Sequence, residues 1–292
     1  AQFVLKVGYI IMWVITVGLI PALFWGILPI WIRKITGGDL CNQLLGTTIG
    51  ITVVALLLTI SLHLTMNWQN GLIFFLSGFC WSIGQVGQYY CYEHLGVSAT
   101  MPLSTALQII GNSIIGGIVF HEWHGSKDVL LSLIMLVVVL AGIHLTSEGG
   151  NVHSCMNRSY VILGITTIGY WGYSALPHFA QITSNLNGFL PQALGMLVAS
   201  IVISGPNLAD VWRKSTVNNI STGVIFSVAA ATYLISLTLN GMVNAFILSQ
   251  LNVVVATILG GFILHEFVKG QFKKTLIGLI VLLCGATGLI MV

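Results

Sequence analysis

The sequence predicts an all-α integral membrane protein: ten transmembrane helices arranged as two inverted-topology five-helix repeats. Three observations predict it. Only 6 % of the 292 residues are charged, against about a quarter in an ordinary soluble domain, and the mean hydropathy is +0.97. Polar breaks divide the chain into apolar stretches close to the ~20 residues that cross ~30 Å of hydrocarbon. The segment "ATMPLSTALQIIGNSIIGGIVFHEW" at 99–123 returns 144 residues later as "VNAFILSQLNVVVATILGGFILHEF".

The first span, 9–31, follows Lys6; it is too long for a signal-peptide core and no small-residue cleavage site closes it, so it reads as a retained helix. It ends at "RKITGGDLCNQ". The second, 43–62, runs to "TMNWQN", and the third, 71–91, to the polar turn before the repeated segment. The fourth, 97–120, carries Pro102 and closes on "HEWH"; "HGSKD" then introduces the fifth, 129–147. The remaining spans are 159–179, 188–204 with Pro191 near its start, 219–239 after "GPNLADVWRKSTVNN", 241–264 and 274–292. Both prolines are expected to interrupt helix hydrogen bonding and free backbone groups near a cavity. No linker is long enough to separate soluble domains.

Without gaps, the offset of 144 aligns Leu107 with Leu251, Ile114 with Ile258, Gly116 and Gly117 with Gly260 and Gly261, and His121 and Glu122 with His265 and Glu266. "FWG" at 24–26 is echoed by "YWG" at 170–172, and "NQLLG" at 42–46 by "LPQALG" at 190–195. The chain is therefore a duplication, 1–150 and 151–292. Five spans per repeat is an odd number, so the second repeat enters the membrane from the opposite side. Charge agrees: eight of the ten Lys and Arg residues follow odd-numbered spans, and only Lys6 and Lys127 fall on the other side. By the positive-inside rule the eight face the cytoplasm and both termini face outward, as expected of a multi-pass cell (plasma) membrane protein.

"LIPALFWG", "NQLLGTTIG", "GFCWSIGQVGQ", "GVSATMPLSTALQIIG", "LPQALGM" and "FILSQLNVVVATILGG" resemble, in order and over essentially the whole chain, the bacterial glucose and ribose uptake family of the drug/metabolite transporter superfamily. The resemblance implies ten helices in two inverted repeats and proton-coupled uptake of a monosaccharide. The chain departs from that family at His121 and His265, where a glycine usually precedes the closing acid, and in the opening "AQFVLKVGYIIMWV".

Polar side chains within spans are expensive and should face a cavity or a partner helix. Here they form stripes: Trp81, Gln85 and Gln88 on the third span, Thr105, Gln108 and Asn112 on the fourth, and Tyr233, Ser236 and Asn240 on the eighth, each set on one helical face. Trp25, Trp171 and Tyr173 add aromatic surface, while Gln43, Thr47, Gln192, Asn244, Ser249, Gln250 and Asn252 add neutral donors and acceptors. A sugar suits that mixture, because its CH faces stack on aromatic rings and its hydroxyls both donate and accept. Single Ser and Thr residues more often join helices to one another. Three glutamines on two adjacent spans exceed what helix pairing requires. Those on the two stripes, with Trp25, the further aromatic residues and the further neutral groups, are the expected substrate site.

No Lys or Arg lies clearly inside a span, which disfavours phosphorylated substrates. The five cysteines, Cys41, Cys80, Cys91, Cys155 and Cys284, have no metal-ligand spacing and read as free thiols. "HEWH" lacks the i, i+4 histidine spacing of zinc proteases, so neither metal, cofactor nor enzymatic chemistry is expected. Partners are a monosaccharide, a proton and membrane lipid, not nucleic acid, with the chain a monomer or weak homodimer. None of the seven acids sits at mid-membrane; Glu122 and Glu266, at helix ends, are the coupling or gating candidates. The alternatives are an exporter of another neutral metabolite or lipophilic compound, and a non-transporting scaffold or sensor.

Overall fold

The computed structural model describes residues 2–147, 154–180, 184–205, 212–267 and 270–291. The repeat boundary near residue 150 and the side chains of Cys155 and Asn244 lie outside the described residues. Ten helices follow one another: α1 (Gln2–Trp31), α2 (Leu40–Ser61), α3 (Trp68–His94), α4 (Val97–Val119), α5 (Ser126–Ser147), α6 (Ser154–Ala175), α7 (Phe189–Ser204), α8 (Lys214–Gln250), α9 (Asn252–Ile263) and α10 (Gln271–Ile290). A π-helical turn, Ile32–Thr36, follows α1, and 3₁₀ turns at Leu176–Phe179 and Asn185–Gly188 lead into α7. Among the described residues there is no strand.

Among the described residues, seven stretches are long and apolar enough to cross a membrane: Met12–Thr36, Leu40–Ser61, Val97–Val119, Ser126–Thr146, Asn185–Ser204, Lys214–Ser236 and Gln271–Leu289. Leu248–Ile263 is apolar but shorter. Helix starts follow local chemistry. Asp39 and Asn42 form a capping box at α2, each side chain accepting from the other's backbone N–H, and Asn67 accepts from the N–H of Asn70 at α3. Pro191 is the third residue of α7, where a missing N–H leaves no helical bond unmade, so the expected break there does not arise. Pro102 lies inside α4, which continues through it.

α8 shows no gap at the expected boundary between 239 and 241; a discontinuity falls at Leu251. α8 nevertheless does not run straight. Trp31 donates to Ser221, Trp25 packs on Phe226 and Tyr233, and Asn240 donates to the carbonyl of Val14, so α8 descends antiparallel to α1. Gly18 then lies against Leu248, Gly26 against Asn252 and Val255, and Lys34 donates to the carbonyl of Ile263. The contacts now advance in the same sense as α1. The chain therefore reverses between Asn240 and Leu248, and Leu248–Ile263 returns alongside α1.

The helices pack in corresponding pairs: α1 on α8 and α6 on α3, α2 on α8 and α7 on α3, α1 on α9 and α6 on α4, with α2 on α7, α4 on α9 and α5 on α10. Glycines set the closest approaches. A Cβ at Gly46 or Gly50 would strike the carbonyls of Thr216 or Ile220, one at Gly223 that of Thr47, and one at Gly78 that of Gln192. Small residues let backbones meet, which is how membrane helices associate where burial of apolar surface from lipid gains little. At one end, Asn219 ties these elements together. Its Oδ1 accepts from Thr36 at 2.8 Å while its Nδ2 donates to Gly37 at 2.9 Å, and Asn42 donates to Thr216.

Gly223→Val should lower stability in detergent by about 1–3 kcal/mol, the usual range for overpacking. Gly164 has nothing within 4 Å of its would-be Cβ. Gly164→Ala should instead stabilise α6 by up to about 1 kcal/mol through helix propensity. Thermal unfolding of both variants checks the pair.

Candidate functional site

Two adjoining clusters gather most of the expected site residues. The first depends on the close crossing of α3 and α6. Gly84 leaves room for the ring of Tyr170, whose atoms would lie 2.7–2.8 Å from a Cβ there, and a Cβ at Gly169 would strike the carbonyl of Cys80. Brought this close, the Tyr170 hydroxyl is 2.9 Å from Gln85 Oε1 and 3.0 Å from Gln88 Oε1. Gln85 Nε2 donates to Gln88 Oε1 at 3.2 Å. Gln88 Nε2 donates to Ser104 Oγ of α4 at 2.9 Å, and Gln108 Nε2 reaches the same hydroxyl at 3.1 Å. Gln85 and Gln88 are only 5 % and 7 % exposed, so each amide group they carry inward is held by a neutral partner rather than by a charge.

The second cluster is aromatic. Trp25 lies 5.9 Å from Phe226 and 5.7 Å from Tyr233, centroid to centroid, and Trp81 meets Phe226 edge-on at 5.0 Å. Trp81 precedes Gln85 by one helical turn, so one face of α3 carries both clusters. Two buried polar atoms on this side have no hydrogen-bond partner among the described residues: the indole Nε1 of Trp25, a donor, and Oδ1 of Asn252, an acceptor. Asn252 opens α9 just past the discontinuity at Leu251, and its backbone lies against Gly26, next to Trp25. An unpartnered buried donor and acceptor of this kind cost about 1–3 kcal/mol each, which a ligand hydroxyl would recover.

Other expected residues sit around these clusters. Trp171 occupies the space left by Gly111 and donates from Nε1 to the carbonyl of Leu107 at 3.0 Å, and Asn112 donates to Ser174 at 3.2 Å. Thr105 is buried on α4, and Tyr173 is half-buried against the main core. Gln192 donates to Ser77, which itself donates to the Tyr173 carbonyl, so this amide joins α7, α3 and α6. Thr47 pairs with the hydroxyl of Tyr89 at 3.2 Å. Ser249 is buried and hydrogen-bonded, and Gln250, the last residue of α8, is half-buried. Gln43 stands apart: its amide donates to the carbonyl of Gly38 at 2.8 Å and closes the turn before α2. Glu122 and Glu266 lie beyond both clusters, at the ends of α4 and α9.

Tyr170, Ser104 and Phe226 were absent from the residues expected from sequence. Tyr170 had a visible signal, the aromatic pair with Trp171. Ser104 and Thr105 are adjacent hydroxyls, and the i, i+3, i+7 stripe favoured the second although Gln108 bonds the first. Phe226 carries no polar signal at all.

Comparison with known proteins gives one consistent result. The model of the sugar transport protein family matches residues 16–292. A protein of Lactiplantibacillus plantarum named "Putative sugar uptake protein" is 38 % identical over 254 residues, 86 % of this chain and 89 % of that one. One of Latilactobacillus sakei named "Putative ribose uptake protein RbsU" is 34 % identical over 281 residues, covering 92 % and 95 %. A crystal structure of a protein 15 % identical superposes with a TM-score of 0.59 over 94 % of this chain and 98 % of its own, which establishes a shared fold. On the family match and the identity with these relatives, the chain belongs to the sugar transport protein family.

Proposed function

We propose that the chain is a secondary active transporter, not an enzyme, that takes up a neutral monosaccharide of glucose or ribose type across the plasma membrane, using the two clusters as its site. The observation that carries the substrate is the unpartnered pair, Trp25 Nε1 and Asn252 Oδ1, set beside an aromatic group and a wholly neutral amide network. One donor and one acceptor match a hydroxyl, and the indole and phenol rings match the CH faces of a sugar. A phosphate would call for Arg or Lys, and none contacts either cluster among the described residues. The relatives' names, sugar and ribose uptake, favour import of this class of substrate.

Ten crossings in two inverted repeats are part of the proposal. The reversal between Asn240 and Leu248 supports counting α8 and the stretch after it as two crossings. The paired packing of the helices supports a two-fold relation, since exchanging each helix with the one five places on converts α1 on α8 into α6 on α3. Access to the central site would then alternate by rocking one bundle against the other. Coupling to protons, and termini on the outer face, complete the proposal.

Asn252→Leu removes an acceptor that bonds nothing in the sugar-free protein. It should leave thermal stability equal or higher while weakening sugar binding about fivefold or more, the reach of ~1 kcal/mol. Gln85→Leu should weaken binding by about 1–3 kcal/mol in folded, monodisperse protein. Calorimetry with ribose and glucose decides both, and unchanged affinity in the two variants would remove this site. In proteoliposomes, an imposed pH gradient, acid outside, should raise the initial rate of labelled-sugar uptake; a rate indifferent to the gradient would indicate a facilitative carrier. For orientation, a cysteine replacing Lys273 should be shielded from an impermeant reagent added outside intact cells, and labelling from that side would reverse the topology.

A further inference from the structure

The ends of α4 and α9 are built alike. In each, a left-handed histidine follows the last turn, His121 at φ 56° and His265 at φ 57°, and a glutamate comes next. A Cβ at Gly117 would strike the ring of Trp123, and one at Gly261 the ring of Phe267, six residues on in both cases. The glutamates, however, do different things. Glu266 Oε1 and Oε2 accept from the backbone N–H groups of Val97 at 2.8 Å and Ser98 at 2.7 Å, the first residues of α4. Gly96, at φ 82°, brings that N-terminus against the carboxylate, and α4 has no side-chain cap of its own. Glu122 is exposed, and its carboxylate has no hydrogen-bond partner among the described residues.

The surrounding contacts differ in the same sense. Gly260 is pressed onto α4, with the Ser98 nitrogen and Val97 Cβ each 3.1 Å from its would-be Cβ. At its counterpart Gly116 the three atoms nearest to a would-be Cβ all belong to the Glu122 carboxylate. At the face where α4 ends, Phe120 packs on the rings of His178 and Phe179 and Trp171 donates to the carbonyl of Leu107, so contacts between α4 and α6 persist there while the closing acid stays unbonded among the described residues.

We propose that Glu266 is a latch that closes the face where α9 ends against the start of α4, and that Glu122 is the same latch for the opposite face, released in this conformation. The carboxylate suits the task because it binds two orphan N–H groups at once at the positive end of a 23-residue helix, with no partner side chain to reposition. Rocking the bundles would withdraw one carboxylate from its helix end as the other is engaged. By the 144-residue offset, residues 241 and 242 are the counterparts of Val97 and Ser98. This inference rests on the alternating-access transporter proposed above, but it makes claims about conformation that do not require the substrate to be a sugar.

Hydrogen exchange on the full-length protein in nanodiscs, without sugar, tests it. Glu266→Gln should speed exchange in peptides covering 95–101 at least tenfold and slow it in peptides covering 116–124, as the second face closes. Faster exchange at 95–101 with no slowing at 116–124 would make Glu266 a local helix cap and overturn the proposal. Glu122→Gln, whose carboxylate has no bond to lose here, should leave 95–101 protected as in the parent while suppressing sugar counterflow at least tenfold. Full counterflow in that variant would overturn the proposal even if Glu266→Gln failed to fold. Failure to bind any sugar would refute the substrate assignment and leave the exchange pattern intact.

Discussion

An amide carried into an apolar interior must find partners there, and the arrangement of α3, α4 and α6 follows from that requirement. Gln85 and Gln88 share a face of α3, and the hydroxyl of Tyr170 answers both carbonyl oxygens. That hydroxyl reaches them only because Gly84 lets its ring lie flat on α3. Ser104 then receives Gln88 and Gln108 together, which fixes α4 against α3 at the same level. A larger residue at position 84 would push Tyr170 away and leave the buried Gln85 carbonyl unpaired, so close packing and polar satisfaction depend on each other.

The second cluster solves the opposite problem. Trp25, Trp81, Phe226 and Tyr233 supply rings with little polar surface, and two buried polar atoms, on Trp25 and Asn252, lack partners among the described residues. A protein interior seldom leaves a buried donor and acceptor unpaired without a reason such as a ligand or an ordered water. The network is therefore the finished side of the site and the aromatic group the receptive one. Both border α3, which keeps their spacing fixed.

The matched segments 99–123 and 243–267 share a closing His-Glu pair and paired glycines, but the structure holds the two acids in different bonding states. Glu266 is tied to the start of α4, and Glu122 is not tied. Two fasteners that engaged in turn would make a bistable element, and bistability rather than continuous deformation is what a close-packed interior permits.

Much of this was legible in the sequence. Membrane residence follows from composition, and the helices from apolar run lengths, because each is a property of the chain itself. The stripe on α3 was also legible, since Trp81, Gln85 and Gln88 share a face by helical spacing alone. Spacing cannot tell which neighbour answers a side chain. It therefore left out Tyr170, Ser104 and Phe226, and it gave no sign that the amide of Gln43 bonds the carbonyl of Gly38 or that the helix has no gap before Leu251. Only the tertiary structure decided those points, and it alone separated Glu266 from Glu122. The two lie in matched sequence, and what distinguishes them is that the Glu266 carboxylate accepts from the start of another helix while that of Glu122 has no hydrogen-bond partner among the described residues.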